Sequence, residues 1–298
     1  MKLSTNFLLI APALAILCIF MLVPLGYGIV YSFLSADTYG GVRLPFSLEA
    51  YQQVFVLQNF DGTVSPTTIY LRIIVRSLVL ATATAVVCAA LALPIAWYIA
   101  TRPKVWRTRL IFIVTLPFWV NSLIRTYCWV LLLRDQGLIN QTLMQTGIAS
   151  EPYGLMYNNT AILIGLVYNF LPFMILPIYS ALERVDFQII EAGHDLYAPM
   201  SSIYKRIIYP LAKPGIQAGT LMVFAPAIGF YLIPDMLGGG QNMMIGNLIQ
   251  LQFTSGRNWP FGAALAMIIT ASVLIVLMYG AIRPTKKGAA SQAKEELI

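Results

Sequence analysis

Charge is scarce in this chain. Only 10% of its 298 residues are Asp, Glu, Lys or Arg, while 58% are hydrophobic; soluble domains carry about 25% charged residues. That shortage excludes an ordinary water-soluble domain and points to a protein that crosses a membrane several times. Histidine is nearly absent: His194 stands alone in a polar stretch with no metal-ligand partner nearby. The three cysteines, Cys18, Cys88 and Cys128, are odd in number, lie in apolar runs and lack metal-ligand spacing. Neither a disulfide framework nor a zinc site is expected of them, and they read as small apolar side chains. A phosphate loop of the GxxxxGK[ST] type is missing, and Gly238-Gly239-Gly240 without a following Lys reads as a turn. No cofactor and no metal is therefore expected in this chain, and no polar cluster suits a membrane-embedded enzyme. No Asp or Glu falls inside a long apolar run. Ion-coupled carriers bury carboxylates along their path, so a proton- or sodium-driven carrier is disfavoured.

What the chain does have is long charge-free runs. They extend from Lys2 to Asp37, Arg76 to Arg102, Glu151 to Glu183, Lys213 to Asp235 and Arg257 to Arg283, and a sixth apolar run contains the single charge Arg125. Each is long enough for the ~20 residues that span a bilayer, which predicts an all-α membrane protein of six transmembrane helices, centred at about residues 20, 89, 121, 168, 224 and 271. The first run, residues 1–36, has elements of a signal peptide in Lys2 and Ala13-Leu14-Ala15. Its apolar stretch continues to Ala36, so an uncleaved first helix is expected. An outside loop over 37–76 follows, and the residues after Arg283 form a polar tail, 284–298.

Six spans put both termini on one side. Thirteen Lys and Arg fall there: Lys2, Arg102, Lys104, Arg107, Arg109, Arg184, Lys205, Arg206, Lys213, Arg283, Lys286, Lys287 and Lys294. Five fall opposite: Arg43, Arg72, Arg76, Arg134 and Arg257. This asymmetry places both termini in the cytoplasm of a multi-pass membrane protein. It also accounts for the net charge of +7, so no nucleic-acid partner is expected.

The cytoplasmic stretch 183–213 is polar, yet it has helical texture. Ile189, Ile190, Gly193, Leu196 and Tyr197 form one apolar stripe, and Met200, Ile203, Tyr204, Ile207 and Ile208 form another after Pro199. Pro199 suits the first turn of a second helix, so two short amphipathic helices joined by a bend are predicted. An exposed helix pair of this kind is a docking surface for a partner.

The same stretch resembles the coupling motif of ABC importer permeases, EAA-x3-G-x9-I-x-L-P. Glu191, Ala192, Ile208 and Pro210 stand at or near its places; Gly193 replaces the second Ala, Tyr209 the Leu and Tyr197 the Gly. Tyr adopts a left-handed backbone poorly, so an ordinary bend helped by Pro199 is expected. Leu116 to Arg125, Gly165 to Tyr168 with Leu171 to Met174, and Leu237 to Gly239 with Met244 to Asn247 are similar to signatures of spermidine/putrescine permeases. So is Arg257 to Ala264, and the B-subunit family is the nearest match. The resemblance implies a MetI-like type I importer permease fold, with a five-helix core over residues 70–283 added to the amino-terminal helix. It also implies a second homologous permease subunit, two cytoplasmic ATPase subunits that hold ATP and Mg, and a periplasmic binding protein. Glu191, Ala192, Gly193, Asp195, Tyr197 and Pro210 would meet the ATPase.

The substrate that the resemblance implies is a polyamine, a flexible polycation whose route should offer aromatic faces and acceptor oxygens. Candidates are Asp235, Tyr231, Phe230, Trp119, Asn121 and Tyr168, together with Phe224, Tyr127 and Asn169. Phe230 and Tyr231 would form a gate, and Asp235 would attract cations at the outer mouth. The competing role for such aromatics is helix packing or anchoring at the membrane interface. Arg125 would repel a cation and reads as structural. A permease for another small solute, or an ion-coupled carrier acting alone, are the alternatives.

Overall fold

The computed structural model describes residues 5–37, 40–58, 64–185 and 188–282. Lys2, Arg283 and the expected tail 284–298 lie outside the described residues. The chain divides into two compact units, residues 69–248 and residues 1–68 with 249–298.

The larger unit is built from helices. In order they are α3 (Ile69–Ala100), α4 (Lys104–Thr115), a 3-10 turn (Leu116–Trp119), α5 (Ser122–Leu133), α6 (Leu138–Gln145) and α7 (Asn159–Leu182). Next come α8 (Gln188–Asp195), α9 (Met200–Ile203), a π-helical turn (Tyr204–Ile208), α10 (Tyr209–Gly229) and α11 (Leu232–Gly238). Helix α12 (Ile245–Phe253) begins at the unit's end. The core is the mutual packing of α3, α7 and α10. Small residues let these backbones approach closely, as membrane helices require. On α3, Ala81, Ala85, Cys88, Ala92 and Ala96 recur every three or four residues and are all buried, one helical seam. On α10, a Cβ at Gly215 would stand 2.5 Å from the Pro177 carbonyl oxygen and 2.7 Å from the Ile178 Cα. Only glycine fits there.

The smaller unit pairs α1 (Thr5–Ser32) with α13 (Trp259–Ile282). Between α1 and α3 the chain forms two short antiparallel hairpins, β1 (Leu34–Ala36) with β2 (Val42–Phe46) and β3 (Val56–Gln58) with β4 (Val64–Pro66), flanking α2 (Glu49–Gln52). Tyr51 donates its hydroxyl to the Ser32 Oγ at 2.9 Å, and Asn258 Nδ2 donates to Gln53 Oε1 at 3.0 Å. The described residues of the expected loop are thus folded, and among the described residues these hairpins depart from a purely helical chain.

Three helices, α1, α3 and α7, are long and apolar enough to cross a membrane. Two bent helix pairs raise the number to five if each is one span: Lys104–Trp119 with Ser122–Gln145 turns through 88°, and Met200–Gly229 with Leu232–Gly238 through 64°. The sixth expected span falls on α13, whose 24 residues, Trp259–Ile282, include no charged side chain. Helix α3 also starts before the charge boundary at Arg76. Its first turns hold Arg72 and Arg76, and Arg76 Nη1 donates to the Gln241 carbonyl at 3.0 Å.

Candidate translocation and coupling sites

Both bends fall on residues singled out above. At the first, the 3-10 turn ends at Trp119, which is 82% exposed. Asn121 then caps α5, its Oδ1 accepting from the Leu123 N–H at 2.8 Å. An Asn cap satisfies one of the four orphan donors of a new helix, which is why the chain restarts there. At the second bend, α10 ends at Phe230 in extended conformation and Tyr231 starts α11. Asn247, buried on α12, pins this break: its Nδ2 donates to the Tyr231 carbonyl at 2.8 Å and its Oδ1 accepts from the Met244 N–H at 3.3 Å. Gly246 allows that approach, since a Cβ there would lie 2.5 Å from the Gly229 carbonyl oxygen.

A chain of rings joins the two bends across α7. Phe118 and Phe173 meet edge to face with centroids 4.5 Å apart, Phe173 and Phe170 are 6.2 Å apart, and Phe170 and Phe230 meet edge to face at 5.5 Å. Phe230 is therefore packed among aromatics. Tyr231 and Asp235 are exposed four residues apart, on one face of α11. Asp235 lies in the first turn of α11, where the helix dipole favours a carboxylate. Tyr168 belongs to another pair, edge to face with Trp129 at 5.6 Å. Phe224 is partly buried, Asn169 is buried and Tyr127 is exposed.

Arg125 lies with its guanidinium 5.5 Å from the Phe118 ring centroid. Its Nε and Nη1, and the Ser122 Oγ, are buried without a hydrogen-bond partner among the described residues. Sequence reasoning gave no individual role to Asn247, Phe118 or Phe173, which stand only within the signatures quoted above, and it missed Phe170. Asn247 carries a readable signal, a lone polar side chain in the apolar stretch Met244–Leu248; the rings have none, because Phe is ordinary in a span.

The stretch 188–208 folds as the predicted helix pair, with one correction. Tyr197 does take the left-handed conformation, φ 54°, rather than an ordinary bend. It ends α8 in a Schellman-type turn, the Ala198 N–H reaching back to the Gly193 carbonyl at 3.1 Å. Tertiary packing overrides the residue's own preference here: Ile190, Gly193, Ile203 and Ile208 are buried beneath the turn. At Gly193 a Cβ would meet Ile203 and Ile207 at 3.5 Å, ordinary contact, so the Ala of the motif would fit. Pro210 follows the π-helical turn. Its ring clashes with the carbonyl four residues back, and the wider turn, closed by Tyr209 N–H to the Tyr204 carbonyl, relieves that clash. Glu191, Ala192, Asp195 and Pro210 are exposed. So is an apolar tip of Met200, Leu196 at 82% and Tyr197 at 97%.

Comparison with known proteins agrees with this architecture. Residues 90–287 match the family "Binding-protein-dependent transport system inner membrane component". The spermidine/putrescine transport system permease protein PotB of Escherichia coli (strain K12) is 39% identical over 249 residues, 83% of this chain and 86% of that one. Its Haemophilus influenzae counterpart is 36% identical over 264 residues, 88% of each chain. Among solved structures, a bacterial ABC transporter involved in import of the acidic polysaccharide alginate superposes with a TM-score of 0.69 at 15% identity, covering 94% of this chain and 96% of that one. The chain belongs to the binding-protein-dependent inner membrane components, the permeases of ABC importers, and takes their fold.

Proposed function

We propose that this chain is one of two homologous permease subunits of an importer that moves a polyamine across the inner membrane, driven by two cytoplasmic ATPase subunits. Both termini lie in the cytoplasm, six helices cross the membrane, and a periplasmic binding protein delivers the substrate. ATP and Mg belong to the ATPase partners. The observation that carries the reading is the exposed helix pair 188–208, whose apolar tip Leu196, Tyr197 and Met200 stands beside Glu191 and Asp195. An apolar anchor rimmed by charge is what a protein partner buries.

The stretch continues through α9 and the π-helical turn into α10 without a loop. A push from the ATPase therefore enters α10 directly. Because α10 lies against α7 at Gly215, the core helices move with it, and the bends at Trp119–Ser122 and Gly229–Leu232 absorb the change. Alternating access follows from this rocking. Relatives named for spermidine and putrescine support the substrate class, as do the exposed Asp235 and Tyr231, which offer acceptor oxygens and a ring face to a cation. The test of coupling is Glu191→Lys. The variant is expected to insert normally but to lose ATPase co-purification and transport; wild-type transport would refute the docking role.

A further inference from the structure

Where α3 gives way to α4, a groove of about 390 Å³ opens between Tyr98, Arg102, Pro103, Trp106 and Leu110. The Arg102 guanidinium lies 4.2 Å from the Tyr98 ring centroid, and that of Arg109 lies 5.4 Å from the Trp106 ring. Stacking uses the face of a guanidinium and leaves its in-plane N–H donors for an oxyanion. Neither Arg102 nor Arg109 donates a side-chain hydrogen bond among the described residues. Arg107 differs, since its Nε donates to the Arg102 carbonyl. No Asp or Glu occurs from Gly62 to Arg134, so α3 and α4 offer these arginines no carboxylate. Lys104 is exposed beside them. Below the charged rim the surface is apolar: Trp106, Leu110 and Ile113 follow at helical spacing along α4, a track of about 10 Å.

We propose that this groove binds an anionic phospholipid, its phosphate held by Arg102 with Arg109 and Lys104 at the flank, and its acyl chain lying along Trp106, Leu110 and Ile113. The proposal rests on the reading that the turn after α3 stands at the cytoplasmic membrane surface. Aromatic rings and basic residues together suit the headgroup layer. The apolar track favours a lipid over free phosphate. Charge that served topology alone would need neither the stacked geometry nor the track.

The test is native mass spectrometry of the importer complex carrying the full chain, with phosphatidylglycerol or phosphatidylcholine added. The wild type is expected to retain phosphatidylglycerol about tenfold better than phosphatidylcholine, and Arg102→Gln to lower that retention about fivefold. Trp106→Ala should lower it as well, whereas Arg134→Gln should not. Millimolar inorganic phosphate should leave the lipid in place. Equal retention of the two lipids, undiminished retention in Arg102→Gln, or displacement by inorganic phosphate would each overturn the proposal. Impermeant maleimide labelling of Thr108→Cys reports the side of the turn separately. Labelling from the cytoplasm only is expected; labelling from outside would overturn the placement rather than the lipid chemistry.

Discussion

Tyr197→Gly separates the two things Tyr197 does. The residue is left-handed, φ 54°, which costs a non-glycine residue about 1–2 kcal/mol. Glycine removes that strain and returns about 0.5–1 kcal/mol of it as extra freedom of the unfolded chain. The ring itself is 97% exposed, so its removal forfeits almost no packing in the free chain. The isolated permease should therefore keep its Tm or gain about 2 °C. Docking is different. A tyrosine ring buries roughly 200 Å² when covered, and covering about 40% of it at ~25 cal/mol per Å² is worth about 2 kcal/mol. The ATPase should then bind about thirtyfold more weakly. Tyr197→Ala is the control, since it keeps the strain and loses the ring: the same loss of binding, no gain in Tm. The assay pairs thermal unfolding in detergent with ATPase titration. Unchanged ATPase affinity in both variants would refute burial of the tip, and a Tm several degrees lower in the glycine variant would refute the strain argument.

Asn247→Ala leaves the Tyr231 carbonyl and the Met244 N–H without their side-chain partner, which should cost about 1–3 kcal/mol and appear as a lowered Tm. Gly215→Ala puts a methyl against the Pro177 and Ile178 backbone, which cannot shift cheaply; a loss of about 1–3 kcal/mol is expected, read as lower yield and Tm. Asp235→Asn removes the exposed carboxylate at the head of α11. Polyamine uptake should fall, most at low ionic strength where attraction is least screened; uptake equal to wild type at all salt concentrations would place the cation's route elsewhere.

Much of this architecture is legible in the chain because charge is expensive in a bilayer. The gaps between charges locate α1, α7 and α13 well. They mislead at α3, where Arg72 and Arg76 sit inside the helix and Arg76 finds the Gln241 carbonyl. The bends at Trp119 and Phe230 were not legible as bends. Periodicity reports which residues are apolar, not the direction in which two half-helices leave a break. The Glu191–Pro210 stretch was readable as two helices from its stripes, whereas the conformation of Tyr197 was not. That conformation is decided by Ile190 and Ile203 burying beneath the turn, a tertiary term larger than the local preference.

The most direct measurement is spermidine uptake into proteoliposomes holding this chain with its homologous permease, its ATPase and its binding protein. The account predicts uptake that needs ATP inside the reconstituted ATPase compartment and disappears when the ATPase is omitted or when Glu191→Lys replaces the wild type. Uptake by this chain without ATP or without the ATPase would contradict it.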